Sequence, residues 1–258
     1  MAQASAGTFG GQVQEAAQRA RLGAYRGGYQ GGAGGIRVRL WLGTVLCALF
    51  GVAALAALVS GYPELAVAAG IPFLVFAVRM ALSWRVGTNA GELHLYEGGV
   101  VVVHKDRVRT VRYADSTVLD NTKRETQYGS TLATVYSFGL TDTEGRNLVI
   151  GSAYPGGEVW GPWVQQDSAA AQLPGALARL RAGEKIEFGL LWVTAGEIGT
   201  GKNSAPWQQV EIDIKDGSIT VRAAGRRGSL ANSWVRLTPN FSLFHALTDV
   251  LRQGRLNA

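Results

Sequence analysis

Gly196, Gly199 and Gly201 followed by Lys202 have the glycine spacing of a phosphate-cradling loop, in which backbone amides wrap the anion and the lysine pairs with it. The match fails at the next positions. Asn203 stands where a Ser or Thr would hold magnesium, and Pro206 and a strand-like run occupy the place where a helix must begin. The segment reads instead as a glycine-rich hairpin loop. His94, His104 and His245 are scattered, and Cys47 is the only cysteine, so the sequence offers neither a zinc-ligand spacing nor an intrachain disulfide. No Ser-His-Asp, Cys-His or paired-carboxylate arrangement can be assembled from the sequence. The expectation is a non-catalytic protein with no catalytic residues, no metal and no cofactor.

Basic and aromatic residues carry the binding chemistry that remains. Lys105, Arg107, Arg109 and Arg112, with Lys123 and Arg124, make one basic cluster; Arg222, Arg226 and Arg227 make a second. Either could meet an anionic lipid headgroup or a partner, although a generic attraction of about 1 kcal/mol per basic residue near an anionic surface needs no pocket. Strand alternation also puts Arg107 and Arg109 on one face and Arg112 on the other, which argues against a single pocket there. Trp160 and Trp163 lie in a Gly- and Pro-rich segment, 154–166, that reads as a loop, and they are contact candidates for lipid or partner. Lys105, Arg107, Arg109, Lys123, Arg124, Trp160, Trp163, Arg226 and Arg227 are therefore the candidate contact residues.

The elements that must position these groups begin with two apolar stretches, 40–60 and 65–84, joined by Gly61-Tyr62-Pro63-Glu64. A bilayer core of roughly 30 Å needs about 20 helical residues, and each stretch has that length with almost no charge, which predicts a two-helix transmembrane hairpin over 37–86. Arg19, Arg21, Arg26, Arg37 and Arg39 precede it, Arg85 follows it, and the link carries no Lys or Arg, so both termini are expected on the cytoplasmic side of the cell membrane. Residues 1–36, with four Gly-Gly pairs, read as a flexible tail in which 13–21 has the pattern of a short polar helix. The chain has 258 residues and a formal charge of +6; its arginines are accounted for by topology and an anionic inner leaflet, without nucleic acid.

After residue 86 the pattern changes to short alternating runs. A β-meander is expected over 92–113, a polar loop at 121–130, and a hairpin closing at Asp142 to Arg146. A helix follows over 167–181, with Leu173, Leu177 and Leu180 on one face and Gly183 as its stop. The order then repeats: strands from 186, an Asp216-Gly217 hairpin, and a helix over 240–252 introduced by Pro239 and an Asn240 cap. This predicts two modules, 90–183 and a smaller 184–258.

These residues resemble pleckstrin-homology-like and GRAM-like bacterial modules, and more closely an uncharacterised family of actinobacterial membrane proteins. The resemblance is carried by Leu95-Tyr96-Glu97-Gly98-Gly99-Val100-Val101, by Leu173-Pro174 with Gly183-Glu184 and Phe188-Gly189, by the 207–217 segment and by Thr238-Pro239-Asn240. It implies bent antiparallel sheets closed by a C-terminal helix and a binding role. The expected whole is a membrane α-helical hairpin with a mainly β α+β cytoplasmic part of two such units. It would act as a membrane-anchored scaffold toward the lipid bilayer, a protein partner or an anionic lipid at the inner leaflet, or alternatively handle lipid there.

Overall fold

The computed structural model describes residues 10–32, 45, 48–53, 55–56, 59–62, 64, 70–71, 73–75, 78, 91–104, 107–127 and 130–254, the side chains of 124–127 and 130–133 excepted. The four valines at 100–103 explain the first sheet. Strand β3 (Gly99–His104) is buried through Val103 on both of its faces, as a continuous apolar run requires. It pairs antiparallel with β4 (Arg107–Arg112), from Gly99 opposite Arg112 to His104 opposite Arg107. With β1 (Tyr25–Gln30) and β2 (Glu92–Tyr96) it forms a sheet of order β1-β2-β3-β4.

Helix α1 (Gly10–Arg19) covers one face of β3: Val13 and Ala17, with the following Leu22, pack on Tyr96, Val101 and Val103. Gly98 donates its N–H to Leu22 O at 2.7 Å, and a Cβ on Gly98 would come 3.0 Å from that same oxygen, a tight approach that a larger residue would have to relieve by a small shift of the Leu22 backbone. The expected flexible tail is corrected for 10–32: the anticipated helix is there, and an unanticipated strand joins the sheet edge. Residues 1–9 and 33–36 lie outside the described residues.

The polar stretch expected as a loop forms β6 (Lys123–Gln127), paired with β7 (Ser130–Val135) in a two-stranded ribbon. Strands β5 (Thr117–Asp120), β8 (Phe138–Thr141) and β9 (Asn147–Ile150) make a second sheet of order β5-β8-β9. Helix α2 (Gly157–Arg181) starts ten residues earlier than the apolar spacing suggested. Its glycines and Pro162 signal a loop locally, but Trp160 at 1 % exposure and Val164 at 0 % anchor those turns, and burial of large side chains outweighs propensity there.

A second strand set follows. Strands β10 (Ile186–Phe188), β11 (Leu191–Val193), β12 (Glu197–Thr200) and β13 (Asn203–Pro206) form a four-stranded meander. The Gly196–Lys202 motif is the β12–β13 hairpin, with Thr200 opposite Asn203. Strands β14 (Val210–Lys215), β15 (Ser218–Ala223) and β16 (Ser229–Trp234) form a three-stranded sheet, and α3 (Phe241–Arg252) closes the set. Phe188, Val193, Ile198, Trp207, Ile219, Val221, Phe244 and Leu247 share one core with Ala176 and Leu180 from the end of α2. Helix α2 therefore contributes to this core as well as to the first.

Asn240 opens α3 in a left-handed conformation, φ 53°, and its side chain does not cap the helix. Its N–H donates to Val118 O and its Oδ1 accepts from Val118 N–H, both at 2.7 Å, so the residue ties α3 to β5.

Met1–Tyr29, Leu93–Ser152 and Gly156–Ala258 make one compact unit, and Gln30–Glu92 with Ala153–Pro155 make another. Within the second unit Gly31 and Gly32 donate to Gly91 O and Ala153 O, at 2.8 and 3.0 Å. Helical residues are described at 45, 48–53, 55–56, 59, 64, 70–71, 73–75 and 78. Among the described residues no helix is long and apolar enough to cross a membrane. This overturns the transmembrane hairpin, and with it the fold class built on that hairpin, the two-span cell-membrane placement and the cytoplasmic orientation of both ends. Apolar composition specifies side chains that avoid water; crossing a bilayer further demands about 20 continuous helical residues, which the described helices of this stretch do not supply. Cys47 lies outside the described residues. The described chain is mainly antiparallel β.

Candidate functional site

In the first strand set two arginines, Arg109 and Arg26, are held by structure. Arg109 on β4 donates Nη1–H to Asn147 O at 2.7 Å, and Nη2–H to Arg146 O at 2.7 Å and Asp142 Oδ2 at 3.3 Å, which fastens β4 to the β8–β9 hairpin. Asp142 closes that hairpin by accepting the N–H groups of Glu144 and Arg146 at 3.0 and 2.9 Å and the Arg146 Nε–H at 2.9 Å. Burial alone would raise the Asp142 pKa, but these hydrogen bonds and the Arg146 charge outweigh it and hold the carboxyl at about 2.

Arg26 on β1 forms a two-point pair with Asp167 on α2, Nε to Oδ2 at 3.2 Å and Nη2 to Oδ1 at 3.0 Å. Gln172, one turn further along α2, donates to Tyr113 O at 2.7 Å and Ser116 O at 2.9 Å. Between them burial, and then the Asp167 charge, push the Tyr113 hydroxyl pKa upward. The buried stripe of α2 thus changes from apolar at Trp160 and Val164 to polar at Asp167, Ser168 and Gln172, and back to apolar at Ala176 and Leu180. Each polar member is satisfied, as a buried network requires: Ser168 Oγ donates to Gln165 O, and Gln165 Nε2 donates to Asp120 Oδ2.

The second strand set is organised differently. Its register follows from the two-residue Asp216-Gly217 turn, with φ values of 51° and 75° as a type I′ hairpin requires. Lys215 faces Ser218, Asp213 faces Thr220 and Glu211 faces Arg222. Alternation sends Ile219 and Val221 into the core and leaves Thr220 and Arg222 on the outer face. A β-bulge opposite Val221 and Arg222 then shifts β16, so that Arg222 faces Ser229 in place of Leu230. Leu230 and Ala231 are both buried as a result, and a hydroxyl stands beside the guanidinium.

Over this outer face lies an open groove of about 820 Å³, lined by Glu211, Arg222, Arg226, Ser229 and Asn232 among others. Arg222 and Arg226 have no hydrogen-bond or ion-pair partner for their side chains among the described residues. Asn232 donates Nδ2–H to Ser229 Oγ at 2.7 Å, which leaves the serine proton available to a ligand oxygen.

The expected contact residues fall into three groups. Arg226 and Arg227 are exposed beside the groove, and Arg226 lines it. Arg107 and Lys123 are exposed on β4 and β6; Arg109 is tied to the β8–β9 hairpin; the backbone of Arg124 lies in β6. Lys105 and the Arg124 side chain lie outside the described residues. Trp160 is a core residue against Phe138, their centroids 6.2 Å apart, which corrects its assignment to an exposed loop. Trp163 is half-buried on α2 and approaches Gly27 of β1.

Glu211, Ser229 and Asn232 escaped the sequence reading. The Asp216-Gly217 turn fixed the pairing of Glu211 with Arg222, so that partner was readable in principle; the bulge that brings Ser229 was not. Among the described residues no three His, Cys, Asp or Glu side chains form a group able to hold a metal ion.

Among the described residues, antiparallel sheets with helices packed on them and an open polar groove over β14–β16 make a β-rich chain. Residues 1–256 match the family described as "Family of unknown function (DUF6585)", and the chain belongs to that family. Neither the comparison with curated proteins nor that with solved structures returned a match.

Proposed function

We propose that this chain is a non-catalytic binding protein whose contact face is the outer side of the β14–β16 sheet and whose ligand is anionic. The observation that carries the reading is the groove itself, where two guanidinium groups meet solvent without a partner among the described residues. Arginine presents a planar set of donors that matches carboxylate and phosphate oxygens, and leaving two unpaired in one concavity favours a ligand that supplies the missing charge. The resemblance to pleckstrin-homology-like modules, which serve binding, supports the same role. A scaffold function then means that an anionic group on the partner engages this groove.

Calorimetric titration of the full chain with inorganic phosphate tests the reading. The expected result is one saturable site, lost in the Arg222→Ala/Arg226→Ala double variant and retained in Arg107→Ala. Equal binding by the double variant and the parent would overturn it.

A further inference from the structure

We infer that the ligand of this groove is a phosphate-bearing polyol, such as a sugar phosphate or the polyol phosphate headgroup of a lipid; the inference rests on the anionic-ligand reading above. The composition of the lining separates this class from others. The groove holds two guanidinium groups, the amides of Gln208, Gln209 and Asn232, and the hydroxyls of Thr220 and Ser229. Its apolar lining is restricted to Val210, Ala223 and Ala224. No aromatic ring is present among the lining residues to stack a base, and three small aliphatic side chains offer little to an acyl chain. Small-molecule sites of about 300–1,000 Å³ are lined predominantly by apolar side chains; a groove of about 820 Å³ lined by amides, hydroxyls and charges suits a hydrophilic ligand of several hydrogen-bonding groups.

Glu211 sharpens the assignment. It lies directly across the ladder from Arg222 and shares the groove with it. A carboxylate there repels a bare anion but accepts hydrogen bonds from hydroxyl groups, so its presence beside two arginines fits a ligand with an anionic end and a hydroxyl-bearing body. In this arrangement Arg222, Arg226 and the Ser229 hydroxyl take the phosphate oxygens, and Glu211 with the amides takes the hydroxyls. Arg227, exposed on the same loop but outside the lining, adds long-range attraction alone.

The experiment titrates the full chain with glucose 6-phosphate, inorganic phosphate and glucose, following groove amides by nuclear magnetic resonance and heats by calorimetry. Glucose 6-phosphate should bind about tenfold more tightly than inorganic phosphate, the equivalent of one or two added hydrogen bonds, and glucose should bind most weakly. Glu211→Ala should remove that advantage while leaving phosphate binding equal or stronger. Phosphate and glucose 6-phosphate binding equally well would overturn the polyol assignment and leave the anionic-ligand reading standing. Saturable binding of neither would overturn both. A Glu211→Gln variant, which keeps size and an acceptor, guards against a fold defect: it should retain part of the preference at unchanged thermal stability, and an undiminished preference in Glu211→Ala would count against hydroxyl recognition by the carboxylate. Vesicles of phosphatidylcholine with and without phosphatidylglycerol separate the two sources. Displacement of glucose 6-phosphate only by the phosphatidylglycerol vesicles assigns a lipid-borne headgroup, and no displacement assigns a free solute, both within the proposed class.

Discussion

In the β2–β9 half of the molecule Arg109 clamps the β8–β9 hairpin and Arg26 pairs with Asp167, whereas in the β10–β16 half Arg222 and Arg226 reach an open groove with no partner among the described residues. Both halves put arginines on outward positions of antiparallel strands. What separates them is the neighbouring chain: the β8–β9 hairpin offers Arg109 two carbonyls and the Asp142 carboxylate, and α2 offers Arg26 the Asp167 carboxylate. Among the described residues no acid or carbonyl reaches the side chains of Arg222 and Arg226 on the outer face of β14–β16. A basic cluster in sequence thus becomes structural or free according to what the tertiary fold places beside it.

The contrast can be broken in order of effect. Trp160→Ala in the first core should cost about 3–5 kcal/mol, as large-to-small changes of buried aromatics do, and thermal unfolding would show it. Gln172→Leu should cost about 1–3 kcal/mol because it strands the carbonyls of Tyr113 and Ser116 without a donor; a loss below a few tenths would mean water replaces the amide. Arg109→Ala should cost about 1 kcal/mol and loosen the β8–β9 hairpin, seen as faster amide exchange at Val149 and Ile150. Arg222→Ala should stay within about 0.5 kcal/mol of the parent, as an exposed side chain without partners does. An Arg222→Ala loss as large as that of Arg109→Ala would erase the distinction between the halves.

A pH series sharpens it further. The folded pKa of Asp142 is about 2 against an ordinary 3.8, so its hydrogen bonds add stability that is complete above the ordinary value and is lost as pH falls toward 2. Amide exchange at Glu144 and Arg146 should accelerate over that window, while the β14–β15 turn, closed by Asp216-Gly217 without such a network, should not follow it.

Much of the β10–β16 half was legible because its signals are local. Asp-Gly fixes a hairpin and its register, the glycine-rich 196–202 segment fails as a phosphate loop and folds as a hairpin, and Phe244, Leu247 and Leu251 mark the buried stripe of α3. The first half hid what depends on distant chain. Polar, glycine-rich β1 has no pattern of its own and becomes a strand because β2 offers it an edge. The run of four valines at 100–103 was the readable trace of α1, since a strand apolar on both faces needs cover on both. The first turns of α2 lie under Gly161 and Pro162, local breakers overridden by the burial of Trp160. The membrane hairpin rested on hydropathy, which reports aversion to water, and among the described residues no helix is long and apolar enough to cross a membrane.

The account rests on the free Arg222 and Arg226 of the groove and the committed Arg26 and Arg109 of the first half, and arginine Nε–Hε resonances report both together. Titrating the full chain with inorganic phosphate at constant ionic strength should shift Arg222 and Arg226 saturably while Arg26 and Arg109 hold still. Equal, non-saturating shifts at Arg107, Arg222 and Arg226, or movement at Arg109 before Arg222, would contradict it.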